Sequence, residues 1–507
     1  MKLERSKNSK KNIFWGLVNK LVGILLPFIV RIDLIHYLGA NYLGLTSLFS
    51  SILQVLSLSE LGFGSAVVFS MYGAIARDDE KTLCALLLFY RRVYKFIGIL
   101  MLLIGLILLP FLSVFIKSGY PDEINIYLLY LLYLLNTVLS YVLFGYKTAV
   151  LTAFQRDDII SNIRTFVSIV VGIIQLVVLY MFKNMYLYVF SIIIGTFLQN
   201  ILIQLESNKN FPTIVCKGQI NDTEKKQIWT KIKGLMISKI CGITRNSFDN
   251  IFLSMFLGLV VTGIYSNYFY VLSLISGILG VIYTSLLAGI GNSIETETVE
   301  KNYSDFRKID FIYMWISCVC TACLLCLYTP FMTLFFCTEM VFPFGIEVFF
   351  CAYFYALKMG DARDIYSSAK GLWWEDRFRI IAETIMNFVL NYILGKYFGV
   401  YGIIGATLFS IVFIAFPWGA FNCFKYYFIG KKLISYFSFH ILYAVVTVLA
   451  CILSYFVCSF FTMQNFAFLF IRLFVCFVIS NLVLVSIFRW FRPYKEAKIW
   501  FINVMRR

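Results

Sequence analysis

Charged side chains lie inside apolar segments of this chain, where they could bind an anionic group. Lys20 and Arg31 are eleven residues apart in the segment NKLVGILLPFIVRIDL (19–34). Eleven residues of α-helix make three turns plus about 20°, so we expect both cations on one helical face. Ionisable groups are costly in hydrocarbon and usually face a cavity or a partner. We therefore predict a cationic face toward a polar cavity; the alternative is that both side chains snorkel to the membrane surfaces.

A second segment repeats the first at an offset of 219 residues. SKICGITRNSFDNIFL (238–253) aligns with it without a gap, and its matching face carries Lys239, Asn246 and Asn250. The register continues through later pairs, among them Leu38-Gly39 over Leu257-Gly258 and Gly44 over Gly263. We predict that the polar residues of both copies line one cavity, with Lys20 and Lys239 facing each other across it.

Three further ionisable residues within predicted spans are candidates for a functional role. Arg245 and Asp249 are one helical turn apart, so they either neutralise each other as an i,i+4 pair or contribute to the cavity. Glu60 is a lone carboxylate deep in the second apolar segment. It is a candidate for coupling a cation to transport, or it is protonated and structural.

The sequence predicts no catalytic residue, no metal site and no cofactor. Its two histidines, His36 and His440, lie at predicted span ends, and no G-x-x-x-x-G-K-[ST] phosphate loop occurs. The run CVCTACLLC (318–326) has a spacing that resembles a metal site, but it lies within a predicted apolar helix and has no nearby histidine or carboxylate. Cysteine there is expected to act as a small hydrophobic residue. We therefore expect a protein that is not an enzyme.

Composition determines which elements must position these residues. The 507 residues are 60% hydrophobic and 14% charged, whereas soluble domains are about half apolar and a quarter charged. Apolar runs of about 20 residues, each long enough to cross a bilayer, recur along the chain. The pattern predicts an all-α integral membrane protein with about 14 transmembrane helices at 13–36, 43–75, 96–116, 124–145, 164–182, 186–205, 234–256, 259–290, 309–335, 343–364, 380–396, 401–424, 434–460 and 466–488.

The net charge of +17 is distributed unevenly along the chain. Most of the 44 lysines and arginines fall in the N-terminal arm, in alternate loops and in the C-terminal tail. The positive-inside rule then predicts that both termini are cytoplasmic, which requires an even number of spans. Because this charge is spread over many loops and not over one face, it argues against nucleic-acid binding.

Two related halves in a membrane protein are typical of transporters. Six spans in each half give both copies the same orientation, so we expect a parallel repeat of two pseudo-symmetric six-helix lobes, followed by two C-terminal helices. The predicted parts are a cytoplasmic basic arm (1–12), an N-lobe (13–205), an inter-lobe loop (206–233), a C-lobe (234–424), spans 13 and 14 (425–488) and a cytoplasmic basic tail (489–507).

Four stretches resemble polysaccharide-export flippases of the Wzx type, which belong to the multidrug/oligosaccharidyl-lipid/polysaccharide exporter superfamily. They are YLGLTSLFSSILQVLSLSELGFGSA (42–66), FYRRVYKFIG (89–98), AKGLWWEDRFRIIAETIMNFVLN (369–391) and GVYGIIGAT (399–407). The resemblance implies a V-shaped pair of lobes in a bacterial plasma membrane. It also implies that undecaprenyl-pyrophosphate-linked oligosaccharides are flipped by alternating access to the outer leaflet. Expected partners are this lipid-linked substrate, membrane lipids, a polysaccharide polymerase and a chain-length regulator.

Several alternatives remain open at this point. A multidrug extruder of the same superfamily is expected to have twelve spans and an acidic cavity, and a lipid II flippase differs mainly in its substrate. Related lipid II flippases carry arginines on the first, second and eighth spans. In this chain Lys20 and Arg31 match that pattern on the first span alone. A membrane glycosyltransferase or polymerase is disfavoured because the predicted outer loops are short.

Overall fold

The computed structural model describes residues 5–57, 63–117, 119–220, 222–461 and 465–505, and these ranges contain helices and turns but no strand. Contacts divide the chain into two compact units, Met1–Gly263 and Ile264–Arg507. The helices of the first unit are α1 (Arg5–Tyr37), α2 (Ala40–Leu56), α3 (Phe63–Ala76), α4 (Glu80–Leu108), α5 (Ile126–Val142), α6 (Thr148–Ala153), α7 (Asp157–Met181), α8 (Met185–Asn210) and α9 (Asp222–Leu257).

The second unit begins within α10, whose first turn belongs to the first unit. Its helices are α10 (Leu259–Thr296), α11 (Val299–Phe335), α12 (Phe344–Lys358), α13 (Asp361–Lys370), α14 (Arg377–Phe409), α15 (Phe416–Tyr426), α16 (Leu433–Cys458), α17 (Phe466–Phe488) and α18 (Arg492–Met505). A π-helical turn, Ser410–Ala415, joins α14 to α15. The predicted C-lobe begins at residue 234, within α9, whereas the contacts group all of α9 with the first unit. The division into two lobes stays a prediction.

Long apolar helices confirm an all-α, multi-pass membrane protein. Among the described residues, eight helical segments are long and apolar enough to cross a membrane, and α5 with α6 forms a bent pair that makes up to nine. On α1 the exposed side chains Phe14, Leu17, Leu21 and Leu25 recur every three or four residues, as expected of a lipid-facing stripe. The predicted span 43–75 contains two helices, α2 and α3. The exact number of fourteen stays a prediction.

The internal repeat is visible in the backbone. Gly39 separates α1 from α2 with φ 98°, and Gly258 separates α9 from α10 with φ 90°. These two glycines are 219 residues apart, the offset found in the sequence. A positive φ is readily available to glycine because it lacks a Cβ atom. The same helix–glycine–helix joint therefore occurs at corresponding places in both copies.

A second pair of repeated glycines lets α2 and the first turn of α10 touch through their backbones. A Cβ atom at Gly44 would overlap the carbonyl oxygen of Leu259, and one at Gly263 would lie 2.6 Å from the carbonyl oxygen of Ala40. The offset of 219 relates Gly44 to Gly263 and also Ala40 to Leu259. The two contacts are thus equivalent: Gly44 approaches Leu259, and Gly263 approaches Ala40. Small residues commonly allow such close approach between membrane helices.

The helix α14 folds back on itself at Gly399. The backbone angles of this glycine, φ 58° and ψ −132°, lie outside the helical region. The amide nitrogen Nδ2 of Asn387 lies 3.0 Å from Oγ1 of Thr407. Twenty residues of straight helix would separate these side chains by about 30 Å, so the chain must reverse between them. The two arms fall on the predicted spans 380–396 and 401–424.

Ion pairs stabilise the connection between α12 and α14. Arg363 donates to Asp364 at 2.6 Å and to the backbone oxygen of Phe416 at 2.8 Å. Lys358 pairs with Asp361 at 2.9 Å. The guanidinium of Arg363 is buried and fills the space beside Gly419, where a Cβ atom would lie 2.8 Å from its central carbon. This cluster satisfies its own charges and has a structural role.

The glycine crossing predicts a specific sensitivity to added methyl groups. Gly44→Ala and Gly263→Ala should each lower the melting temperature of the purified protein, because overpacking costs about 1–3 kcal/mol. Gly280→Ala is the matched control, since nothing lies within 4 Å of the position of its Cβ. Thermal unfolding in detergent, followed by intrinsic fluorescence, measures the effect. Equal melting temperatures for all three variants would contradict the described crossing.

Candidate functional site

A polar cavity of about 630 Å³ opens within the first unit, among α3 to α8. Four tyrosines line it: Tyr72, Tyr90, Tyr94 and Tyr141. Uncharged polar side chains complete much of the wall: Ser140, Thr148, Thr152, Thr196, Gln199 and Asn200. Such a lining combines flat apolar ring faces with many hydrogen-bonding groups.

The tyrosines form a continuous aromatic wall. The rings of Tyr90 and Tyr94, one turn apart on α4, have centroids 4.3 Å apart, and Tyr94 lies 5.5 Å from Tyr141 on α5. Aromatic pairs at these separations attract each other and fix each other's orientation. Gly64 on α3 permits this packing, because a Cβ atom there would lie 2.8 Å from the hydroxyl oxygen of Tyr90.

Hydrogen bonds of α8 hold a further part of the cavity wall. Thr196 donates to Oδ1 of Asn136 at 2.7 Å, and Asn200 donates to the backbone oxygen of Thr196 at 2.8 Å. A Cβ atom at Gly145 would lie 3.5 Å from Oδ1 of Asn200 and 2.6 Å from the backbone oxygen of Ser140. The glycine therefore lets the α5–α6 bend approach α8 and places the Asn200 amide at the cavity.

Arg164 is the charged side chain among the described residues that line the cavity. It lies two turns into α7 and is exposed. Within the described part of the chain it forms no ion pair and no hydrogen bond, and the lining residues include no carboxylate. A guanidinium has five N–H donors and keeps its charge at all physiological pH values. Arg164 is therefore available to bind an anionic group of a ligand in the cavity.

The cavity lies toward the end of the unit where α1 begins. Asn12 on α1 donates to the backbone oxygen of Gln155 at 3.1 Å and accepts from the backbone N–H of Asp158 at 2.7 Å. These bonds place the N-terminal arm beside the start of α7, two turns from Arg164. The sequence predicts that this end, which carries basic loops, faces the cytoplasm.

The predicted cations of α1 lie outside this cavity. Lys20 and Arg31 are both half-buried, and neither belongs to the cavity lining. Asn19, next to Lys20, donates to Oγ1 of Thr165 on α7 at 3.2 Å. The guanidinium of Arg31 interacts electrostatically with Tyr188 on α8. The first helix is thus packed against α7, and Arg31 also interacts with α8.

Part of the predicted polar face of α9 is used for packing against α2. Asn250 donates to Oγ of Ser51 at 2.9 Å, and Ser247 donates to Oε1 of Gln54 at 3.1 Å. Asp249 is fully buried, and Arg245 lies one turn before it and is half-buried. The hydrogen bonds of this face therefore join two helices.

Three predicted site residues cannot be placed. Glu60 lies outside the described residues, and the side chains of Lys239 and Asn246 on α9 lie outside the described part as well. The cation-coupling role of Glu60 and the opposition of Lys20 and Lys239 therefore stay predictions.

A buried carboxylate in the second unit escaped the sequence analysis. Glu347, at the start of α12, is fully buried and accepts hydrogen bonds from Tyr268 at 2.8 Å and from Thr329 at 2.8 Å. Tyr268 in turn accepts from the backbone N–H of Phe342 at 3.1 Å. This network joins α10, α11 and α12. Its hydrogen bonds are the usual way to offset the burial of a carboxyl group.

The tyrosine wall was also missed, although the sequence contained a signal. Tyr90 and Tyr94 stand one turn apart inside FYRRVYKFIG, one of the four stretches that carry the family resemblance. Arg164 is the first residue of the predicted span 164–182, and this position at the edge of an apolar run gave no sign that it lines a cavity. The remaining lining residues come from separate helices, and no spacing along the chain relates them.

The profile of the family described as "Polysaccharide biosynthesis protein" matches residues 9–287, which is more than half of the chain. A search of curated protein sequences gave no match. Among solved structures, "Lipid II flippase MurJ, inward closed conformation" is similar with a TM-score of 0.64 and 15% identity, over 94% of this chain and 99% of that one.

Two further structures share the fold. A multidrug resistance MATE family transporter of the MOP superfamily, in an inward-facing conformation, has a TM-score of 0.62 at 14% identity, over 79% of this chain and 94% of that one. A MOP superfamily transporter from Pyrococcus furiosus, described as having a binding pocket of reverse polarity, has a TM-score of 0.55 at 13% identity, over 82% of this chain and 95% of that one. At these identities the likeness concerns the fold.

The contact between Asn250 and Ser51 predicts an effect on stability. Asn250→Ala and Ser51→Ala should each destabilise the protein, and the double variant should lose less than the sum of the two. We expect a coupling of about 0.5–1.5 kcal/mol, the net contribution of one hydrogen bond. A double-mutant cycle on unfolding in detergent measures it. Additive effects, together with loss of transport in Asn250→Ala at unchanged stability, would instead assign Asn250 to the substrate path.

Proposed function

Because the chain belongs to the polysaccharide biosynthesis protein family, we propose that it flips undecaprenyl-pyrophosphate-linked oligosaccharide units across a bacterial plasma membrane. The units would be precursors of a capsule, an exopolysaccharide or an O-antigen. Transport would proceed by alternating access, and both termini of the chain would lie in the cytoplasm. The observation that carries this proposal is the cavity in the first unit, whose lining suits a glycan with an anionic group.

The cavity supports this substrate class through three properties. Tyrosine rings offer flat faces on which the C–H faces of sugars can pack, while their hydroxyl groups remain polar. Serine, threonine, glutamine and asparagine side chains can replace the water that hydrates sugar hydroxyls. Arg164 supplies a cation to a cavity whose described lining residues include no carboxylate, and a guanidinium matches the geometry of a phosphate group. The undecaprenyl tail would stay in the surrounding lipid, because the transfer of its apolar surface into water is unfavourable.

Two alternatives differ in the charge and shape of the substrate. A multidrug extruder for cationic compounds would be expected to use acidic groups, and the described lining residues of this cavity include none. A lipid II flippase would carry a related pyrophosphate lipid with a peptide-bearing disaccharide. The two glycan substrates differ beyond the phosphates, so a transport assay with each distinguishes them. A membrane glycosyltransferase is disfavoured because the family and the structural neighbours are transporters and flippases.

The proposal also implies partners. Flipped units must be joined in the outer leaflet, so we expect a polysaccharide polymerase and a chain-length regulator to act on the product. Membrane lipids would surround the exposed apolar side chains of α1 and of the other long helices. No nucleic acid is expected to bind.

Arg164 provides the sharpest test of the cavity. Arg164→Ala should reduce export of the glycan about 10-fold or more, because a hydrogen bond to a charged group contributes about 1.5–3 kcal/mol. Arg164→Lys should retain part of the activity, since it keeps the charge but loses bidentate geometry. Arg92→Ala, an exposed arginine of α4 outside the lining, is the matched control. Glycan at the cell surface is measured at equal amounts of protein; unchanged export in Arg164→Ala would argue against this site.

The tyrosine wall should respond by side-chain shape. Tyr94→Ala should reduce export more than Tyr94→Phe, because phenylalanine keeps the ring face but not the hydroxyl group. Tyr127→Ala, which removes an exposed tyrosine from α5, is the control. Equal export by Tyr94→Ala and the wild type would show that ring faces do not bind the glycan.

The cationic faces of the two repeats need a separate test. If they attract the pyrophosphate, then Lys20→Ala, Arg31→Ala and Lys239→Ala should each reduce export without changing the amount of protein in the membrane. If all three variants export normally at normal protein levels, the cationic faces do not bind the substrate and the snorkelling alternative stands.

A further inference from the structure

Cysteines from three helices meet in the interior of the second unit. Cys326 on α11, Cys458 at the end of α16 and Cys476 on α17 are buried, and their sulfur atoms all lie within 4.8 Å of one another. The sulfurs of Cys458 and Cys476 are 3.4 Å apart. Cys323, one turn before Cys326, packs against the same three residues. We name this group the thiol cluster.

The cluster has the dimensions of a metal site. Thiolate sulfurs bind Zn²⁺ at about 2.3 Å, so two sulfurs of a tetrahedral site are about 3.8 Å apart. The sulfurs of Cys458 and Cys476 are 3.4 Å apart and no separation within the trio exceeds 4.8 Å, whereas a disulfide requires about 2.05 Å. Cys323 and Cys326 have the C-x-x-C spacing that provides two ligands from one turn of chain. Small adjustments of side-chain torsions would bring four sulfurs around one ion.

A cationic side chain lies beside the cluster. Arg472 lies on α17 one turn before Cys476, and its backbone oxygen is 3.9 Å from the sulfur of Cys458. One terminal nitrogen of Arg472 donates to the backbone oxygen of Phe461. Its Nε atom is buried and has no hydrogen-bond partner within the described part of the chain. A negatively charged metal–thiolate group would offset the positive charge of this half-buried side chain.

We propose that the thiol cluster is a binding site for a thiophilic d¹⁰ cation, Zn²⁺ or Cu⁺, held by Cys326, Cys458 and Cys476, with Cys323 as a fourth ligand. Soft sulfur ligands select these ions over Mg²⁺ or Ca²⁺. Each cysteine that binds loses its thiol proton to water, so four ligands release four protons per Zn²⁺. No electron is transferred, because the ion binds in the oxidation state in which it is supplied.

The site would fasten the last two long helices of the chain to α11. Its ligands come from α11, α16 and α17, so a bound ion would cross-link three helices that also meet through contacts such as the hydrogen bond from Trp315 on α11 to Asn481 on α17. Binding to the folded state alone raises its stability by RT ln(1 + [L]/Kd), or about 2.7 kcal/mol at a concentration one hundred times Kd. This role is independent of the proposed transport function.

The test is metal binding by the full-length protein in detergent, reduced with a phosphine and freed of metal by a chelator. Co²⁺ should give the intense near-ultraviolet sulfur-to-cobalt charge-transfer absorption of thiolate ligation, and Zn²⁺ should displace it at one equivalent. In a second experiment, binding of Cu⁺ is measured by competition with a chromogenic Cu⁺ chelator. Tight binding of either ion at one equivalent, with a higher melting temperature, supports the proposal.

Variants connect the signal to the cluster. Cys326→Ser, Cys458→Ser and Cys476→Ser should each lose the charge-transfer band and the metal-dependent rise in melting temperature. Cys84→Ser and Cys423→Ser, which alter buried cysteines elsewhere, should keep both. Protection of Cys458 from maleimide by metal in the wild-type protein provides a readout that needs no variant. Absence of binding in both experiments, or binding that persists in all three cluster variants, would overturn the proposal.

Discussion

The backbone contact between α2 and the first turn of α10 constrains much of the first unit. At Gly44 and Gly263 the backbone carbonyl groups of Leu259 and Ala40 occupy the space that a Cβ atom would need, so a larger residue does not fit without a shift of the backbone. Since α9 leads into α10 through Gly258, the crossing also sets α9 beside α2. The hydrogen bonds from Asn250 to Ser51 and from Ser247 to Gln54 then follow along the same pair of helices. Dispersion and hydrogen bonds, and not the hydrophobic effect, stabilise such contacts within lipid.

Polar side chains in this protein divide into two groups. Asn250, Glu347 and Arg363 form hydrogen bonds with groups on other helices, and Asn387 bonds to the second arm of α14, so these residues contribute to packing. Arg164 has no such partner among the described residues and lies on the wall of a polar cavity. Polar groups within a membrane protein are generally expected to mark a functional site. In this protein that expectation applies to Arg164, whose side chain remains available to a ligand, and not to the polar residues that bond to other parts of the protein.

The fold class, the membrane location and the repeat could be predicted from sequence, since each depends on composition or on register along the chain. The offset of 219 found in the segments led by Lys20 and Lys239 holds in the backbone, where Gly39 and Gly258 have the same conformation. The sequence also indicated the turn at Gly399. Contacts between distant helices could not be predicted, because nothing along the chain relates Tyr94 to Asn200 or Cys326 to Cys476. For the same reason the polarity of Asn250 indicated a cavity, whereas the structure shows it bonded to Ser51.

The reversal of α14 at Gly399 has a consequence for biogenesis. A single residue forms the turn, so no hydrated loop separates the two arms. If the first arm entered the bilayer alone, the amide of Asn387 would be exposed to lipid without Thr407, and an unpaired amide in an apolar medium costs several kcal/mol. Both arms are therefore best accommodated when they leave the translocon together as a preformed hairpin. On this basis, ribosomes must synthesise the second arm before the first is stably integrated.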